Sequence, residues 1–181
     1  GALDVDYAFL LRSVERGGGA DVEALLDQVE DARSGGEVAA RDAKVKRFMF
    51  ASSSAIYGDS EAAKKHESLP PNPLSPYALQ KYAAERYGQL FHQLYGLETV
   101  GLRYFNIFGP RQSFDSPYSG VIAKFCTAML AGQSPTIFGD GRQARDFTYV
   151  ENAVAATLLA AETPAEKAGG KVFNVAGGQS I

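Results

Sequence analysis

The chain contains no tryptophan and a single cysteine, Cys126. One cysteine cannot close an internal disulfide, so a reducing cytoplasm is the expected setting. Its two histidines, His66 and His92, are not spaced with other ligand types, which argues against a metal centre. No apolar run approaches the roughly 18 residues that suggest a membrane span. Tyr7 to Leu11 is too short for a signal-peptide core and is ended by Arg12. Basic blocks are also missing, and the formal net charge is -3. Neither nucleic acid nor an anionic membrane is therefore an expected partner.

What is present describes a folded protein. At 181 residues, 45% hydrophobic and 22% charged, the chain is long enough to bury a core and too apolar for a disordered tail. Val5 to Leu10 predicts a short strand, Gly17-Gly18-Gly19 a break, and Asp21 the cap of a helix that Ser34-Gly35-Gly36 ends. A further turn or two of helix is expected from Glu37 to Lys46, with Lys44, Lys46 and Arg47 as its cationic end. Phe48 to Ala51 is an apolar run suited to a strand buried on both faces. Ser60 to Pro76 predicts a proline-rich loop. Ser75-Pro76 then opens a helix that runs to Gly96. The pattern continues with a strand at Glu98 to Tyr104, a helix from about Gly120 to Leu130 and a short strand at Thr136 to Phe138. A turn at Gly139-Asp140-Gly141, a helix at Tyr149 to Glu162 and a last strand at Lys171 to Val175 complete it. Alternating strand and helix argues for an α/β fold with a parallel sheet.

Three islands carry chemistry: Ser52-Ser53-Ser54 directly after a strand, Tyr77 with Lys81 on the next helix, and Arg103 to Asn106 at a later strand end. In open α/β sheets ligands bind beyond the carboxyl ends of the strands. Residues four apart on a helix share a face, so Tyr77 and Lys81 reach a common ligand, and a nearby ammonium favours a phenolate able to act as a base. A serine hydroxyl at the strand end can share a proton with that phenol and with a substrate oxygen. Each island alone is better read as an ordinary turn or helix surface; their order is what is distinctive.

In that order, F-x-x-S-S-S-A-I-Y-G-D, L-S-P-Y-A-L-Q-K-Y-A-A-E, L-R-Y-F-N-I-F-G-P-R-Q and G-D-G-R-Q-A-R-D-F-T-Y-V-E-N resemble the extended short-chain dehydrogenase/reductase family. The likeness is strongest to its NAD-dependent nucleotide-sugar epimerases, particularly UDP-N-acetylglucosamine and UDP-glucose 4-epimerases. The resemblance implies NAD as cofactor, a UDP-sugar as substrate and a possible homodimer. It implies Tyr77 as catalytic base and acid, Lys81 as the residue that holds the nicotinamide ribose, and either Ser53 or Ser54 as the catalytic hydroxyl. Tyr104 and Phe105 match a strand end beside the nicotinamide. Asn106 and Arg145 match contacts to the nucleotide diphosphate, and Thr136 and Phe138 a short strand bordering the uracil. The implied reaction is transient oxidation of the sugar at C4, with hydride passing to NAD and returning on the other face. Dehydratases and decarboxylases of the family carry an acidic residue after the serine, where this chain has Ala55 and Ile56.

Upstream the likeness thins. Val5 to Phe9 resembles a strand of the family, but no G-x-x-G-x-x-G turn occurs anywhere in the sequence. The resemblance therefore implies the second half of a Rossmann-like parallel sheet with the beginning of a small substrate-binding subdomain. Residues 1–109 would form a truncated NAD-binding part and 110–181 a partial nucleotide-sugar region, with 149–175 returning to the first. The alternatives are a non-catalytic remnant kept for binding or dimerisation, and a nucleotide-sugar dehydratase.

Overall fold

The computed structural model describes residues 35–112 and 120–181. The expected strand at Val5, the Gly17 break and the helix from Asp21 lie outside them. The first described helix, α1, spans Gly35–Asp42. Gly35 and Gly36 thus open a helix, while the helix they are expected to end lies outside the described residues. Gly36 sits there because a Cβ would come within 3.0 Å of the Phe48 ring. The helix also stops short of the expected cationic end: Lys44 turns the chain with φ 53°, and Arg47 already belongs to the next strand.

That strand, β1 (Arg47–Ser53), leads into a 3-10 turn, Ser54–Tyr57, and then the proline-rich loop. Helix α2 (Pro76–Tyr95) begins where predicted. Ser75 caps it by accepting the Ala78 amide at 3.1 Å, and Gly96 ends it in the left-handed conformation at φ 69°. Strand β2 (Glu98–Tyr104) follows, then β3 (Ile107–Phe108), α3 (Val121–Leu130) and β4 (Thr148–Tyr149). Helices α4 (Val150–Glu162) and α5 (Ala165–Ala168) and strand β5 (Lys171–Val175) complete the chain. The fold is α/β with a parallel sheet, as the alternation predicts, and its strand order is β1-β2-β5. Two differences stand out. Residues 136–138 join no strand ladder among the described residues, leaving Phe138 80% exposed. The two-residue strands β3 and β4, which no periodicity announces, pair in parallel as Ile107 with Thr148 and Phe108 with Tyr149.

The chain divides into two compact units. The first comprises the described residues up to Arg103 with Thr157–Asn174, and the second comprises those of 104–156 with Val175–Ile181. In the first, Phe48, Phe50, Phe91, Leu97 and Ala40 form the core, joined by Val45, Ala84 and Val172. Gly88 and Gly101 make room for Phe50, since a Cβ at either would lie 2.7 Å from its ring. At the far end of β1, Arg47 binds Glu98 at 2.7 Å and donates to the carbonyls of Ala160 and Ala161. One guanidinium thus joins two strand ends and offsets the carbonyl end of α4.

Glu37 is buried in the first turn of α1. Desolvation raises its pKa above the ordinary 4.5, partly opposed by a backbone hydrogen bond. A carboxyl raised on folding contributes stability below its unfolded pKa and loses it as pH rises through the folded value. Glu37→Gln is therefore expected to stabilise the protein at pH 7, with the gain vanishing as pH falls below 4.5. Urea titrations of both proteins at pH 4 and pH 7 read this directly; a gain equal at both pH values contradicts it.

Candidate functional site

The site in the first unit grows from the end of β1. Ser53 leaves the strand with extended backbone, and its Oγ accepts the Ala55 amide at 3.1 Å, capping the short turn that Ser54 begins. Both serines are half-buried. Ser52, the first of the three, faces inward and is buried. The loop beyond is folded back by the Asn72 amide, which donates to the Ile56 carbonyl at 2.8 Å. Gly58 makes this approach possible: its φ is 57°, and a Cβ would stand 2.1 Å from the Asn72 carbonyl oxygen.

Opposite that turn, α2 presents Tyr77, Lys81 and Glu85 at four-residue spacing, one face of the helix. Only the first of them is open to solvent. Tyr77 is 43% exposed, Lys81 3% and Glu85 1%. Lys81 extends toward β1, where its Nζ donates to the Ala51 carbonyl at 3.0 Å and lies 5.6 Å from the centre of the Tyr77 ring. That distance is within cation–π range. The arrangement holds a buried ammonium beside a solvent-accessible phenol, at the carboxyl end of a sheet strand and next to the serines. Chemically, it can accept a proton from a hydroxyl and return it.

Behind this surface lies a buried polar network. The Arg103 guanidinium donates to Glu85 through Nε at 2.8 Å and Nη2 at 2.7 Å, and through Nη1 to the Tyr57 hydroxyl at 2.7 Å. Ser52 Oγ donates to Glu85 at 2.5 Å, and Tyr57 Oη donates to Asn174 Oδ1 at 2.8 Å. Burial pulls the Arg103 pKa down, but the Glu85 carboxylate and the Tyr57 hydroxyl outweigh it, leaving the guanidinium above its ordinary value. Reading the sequence singled out Arg103 only as part of an island and gave Glu85 and Tyr57 no role. Two signals were present: a charged residue inside the apolar strand V-G-L-R-Y, and a glutamate in register with Tyr77 and Lys81.

The second unit holds the remaining predicted residues. Asn106 and Arg145 line one recess of about 270 Å³ together with Ile107, Phe108, Gln112 and Phe147, closed on one side by the start of α3. Asn106 Nδ2 donates to the Asp146 carbonyl at 2.9 Å, and Arg145 Nη1 to the Ala144 carbonyl at 2.8 Å. Asp146 in turn accepts the amides of Gly177 and Gly178 at 2.7 and 2.8 Å, fixing the segment that carries Arg145. Thr136 and Phe138 are exposed and do not line this recess. Tyr104 and Phe105 are half-buried at the end of β2, where the Phe105 amide donates to the Val175 carbonyl at 3.0 Å.

The residues present suit one end of the expected cofactor. A buried ammonium and an accessible phenol at a strand's carboxyl end match a ribose with an adjoining redox ring. A glycine turn for the pyrophosphate is not written in the sequence. Among the described residues no cluster of histidine, cysteine and carboxylate side chains could hold a metal ion.

The UDP-glucose 4-epimerase of Mycolicibacterium smegmatis is 40% identical over 141 residues, which is 77% of this chain and 44% of that protein. Among solved structures, UDP-N-acetylglucosamine 4-epimerase from Methanobrevibacter ruminantium M1, in complex with UDP-N-acetylmuramic acid, superposes with a TM-score of 0.76 at 42% identity. The match covers 90% of this chain and 53% of that one. UDP-glucuronic acid 4-epimerase from Bacillus cereus, in complex with NAD, gives a TM-score of 0.75 at 32% identity, covering 91% and 52%. The chain thus spans about half the length of these relatives. The model of the NAD dependent epimerase/dehydratase family matches residues 37–176, and the chain belongs to that family, whose cofactor is NAD.

Proposed function

We propose that this chain carries the proton-transfer half of a UDP-sugar 4-epimerase, with a substrate of the UDP-glucose or UDP-N-acetylglucosamine type. The observation that carries the reading is the buried Lys81 ammonium, held on the Ala51 carbonyl beside the accessible Tyr77 at the serine end of β1. On this reading Tyr77 Oη takes the proton from the sugar's 4-hydroxyl as that carbon is oxidised and gives it back to the 4-keto oxygen when the carbon is reduced. Ser53 or Ser54 steadies the same oxygen by a shared hydrogen bond. Lys81 holds positive charge beside the phenolate that Tyr77 must become and has N–H donors for a ribose. NAD, when bound, supplies the acceptor and donor of hydride at C4. Tyr104 and Phe105 border the redox ring, Asn106 and Arg145 hold the diphosphate, and Thr136 and Phe138 border the uracil. An arginine suits a diphosphate because its planar donors pair with phosphate oxygens. Residues 1–109 form the cofactor part and 110–181 the sugar-nucleotide part, with 149–175 returning to the first, in the cytoplasm. No described helix is long and apolar enough to cross a membrane.

The test is direct. Incubated with NAD and either UDP-sugar, the protein is expected to yield the C4 epimer, detected by chromatography. A chain that neither retains NAD(H) nor forms an epimer is a binding remnant, and the proposal fails.

Pairing of two copies is part of the same proposal. Helix α2 exposes Leu79, Tyr87, Leu90 and Leu94, a stripe at helical spacing on the side away from the core. Light scattering is expected to report twice the 19.4 kDa chain mass, and Leu94→Glu to halve it; a wild-type monomer at micromolar concentration contradicts the pairing.

A further inference from the structure

We propose that Arg103, acting through Glu85 and Tyr57, is a positioning residue that fixes the serine-bearing turn relative to the helix presenting Tyr77 and Lys81. The inference rests on the roles proposed above for Tyr77 and for Ser53 or Ser54.

Two elements must keep a constant separation if a phenol and a serine are to meet one substrate oxygen. The turn at Ser54–Tyr57 is held internally by Gly58 donating to Ala55 at 3.1 Å, and to its loop by Asn72 donating to Ile56. Neither bond reaches α2. Besides the Lys81 ammonium, which ties α2 to the Ala51 carbonyl ahead of the serines, a link to the turn itself runs from the Tyr57 hydroxyl to Arg103 on β2 and on to Glu85 on α2, the residue one turn beyond Lys81. Glu85 also receives Ser52, directly before Ser53, so helix, strand end and turn are all referred to one guanidinium.

The chemistry explains why this position is arginine. Its planar fork satisfies both Glu85 oxygens through Nε and Nη2 while Nη1 points to Tyr57, which fixes two partners in two directions from one rigid group. A lysine would keep the charge balance but, as a point charge on a flexible stem, would fix neither direction. The other side of Tyr57 is also tied down. Its hydroxyl donates to Asn174, whose Nδ2 donates to the Lys65 carbonyl at 3.1 Å and whose amide donates to Glu67 at 2.7 Å. Among the described residues no buried side-chain nitrogen or oxygen is left unsatisfied, so each polar group of the network has its partner.

The experiment compares wild type, Arg103→Lys and Tyr57→Phe by amide hydrogen exchange and by steady-state kinetics. Both variants are expected to speed exchange at Gly58 and Asn72 by about tenfold or more while the interior amides of α2 keep their protection. Both are also expected to lower kcat by about 10- to 100-fold with KM nearly unchanged, since misplacing reacting groups by an ångström suffices for such losses. If Arg103→Lys fails to fold, Tyr57→Phe, which removes one oxygen and no charge, decides alone. Unchanged exchange at Gly58 and Asn72 overturns the proposal, as does faster exchange spread evenly over α2, or a loosened turn with unchanged kcat. A wild type that shows no epimerisation defeats the catalytic reading separately, whereas the exchange measurement still decides whether Arg103 holds the turn to the helix.

Discussion

Arg103→Met is expected to lower the free energy of unfolding by about 3–5 kcal/mol, because it leaves the Glu85 carboxylate buried without its counter-charge. Arg103 and Glu85 are respectively 4% and 1% exposed in their side chains and meet at 2.7 Å through two parallel bonds. Water cannot replace the lost partner there, unlike at a surface pair such as Arg142 with Asp140, 3.9 Å apart and largely exposed. A domain of this size has only about 5–15 kcal/mol to lose, so this one substitution is expected to remove a large share of the stability. The double variant Glu85→Leu with Arg103→Met removes both charges and is expected to recover most of the loss. What it does not recover is the bonding of the Ser52 and Tyr57 hydroxyls, about 1 kcal/mol each. Urea titrations of the three proteins measure all of this. A single variant that loses less than about 1 kcal/mol contradicts the burial of the pair.

Tyr77→Phe is expected to act in the opposite way, on rate and not on stability. The side chain is 43% exposed, and losing an exposed oxygen normally changes stability by no more than about 0.5 kcal/mol. Loss of a positioned general acid–base group costs about 10²- to 10⁴-fold in rate. Thermal melts should therefore overlay while epimerisation falls by at least two orders of magnitude. Retention of more than about a tenth of the activity removes Tyr77 from the role of base. Lys81→Met provides a contrast: it removes the donor to the Ala51 carbonyl, so both the melt and the rate are expected to shift.

Much of this site was legible from local chemistry. Ser75-Pro76 and Gly96 delimit α2 because a side-chain cap, a proline at the first position and a left-handed glycine act within a few residues. The spacing of Tyr77 and Lys81 implies a shared face on any helix. Strands β1 and β2 announce themselves because both faces are buried and their runs are apolar. What stayed hidden depends on partners distant in sequence. Glu85 and Arg103 are 18 residues apart and their pairing follows from the crossover connection, not from any local pattern. Tyr57 and Asn174 are 117 apart. Strands β3 and β4 have two residues each, too few for periodicity to register. Residues 136–138 have strand-like composition but no ladder to join among the described residues, so β-propensity alone produced an expectation that tertiary context did not meet.

The most direct test of the account uses UDP-glucose carrying deuterium at C4, incubated with the protein and NAD, with the product read by mass spectrometry and NMR. Oxidation and re-reduction at one carbon predict UDP-galactose of unchanged mass with deuterium still at C4. A product lighter by one water with the label moved to C6 would identify a dehydratase, and no product from this sugar or from UDP-N-acetylglucosamine labelled in the same way would leave Tyr77, Lys81 and the serines without the reaction assigned to them; either result contradicts the account.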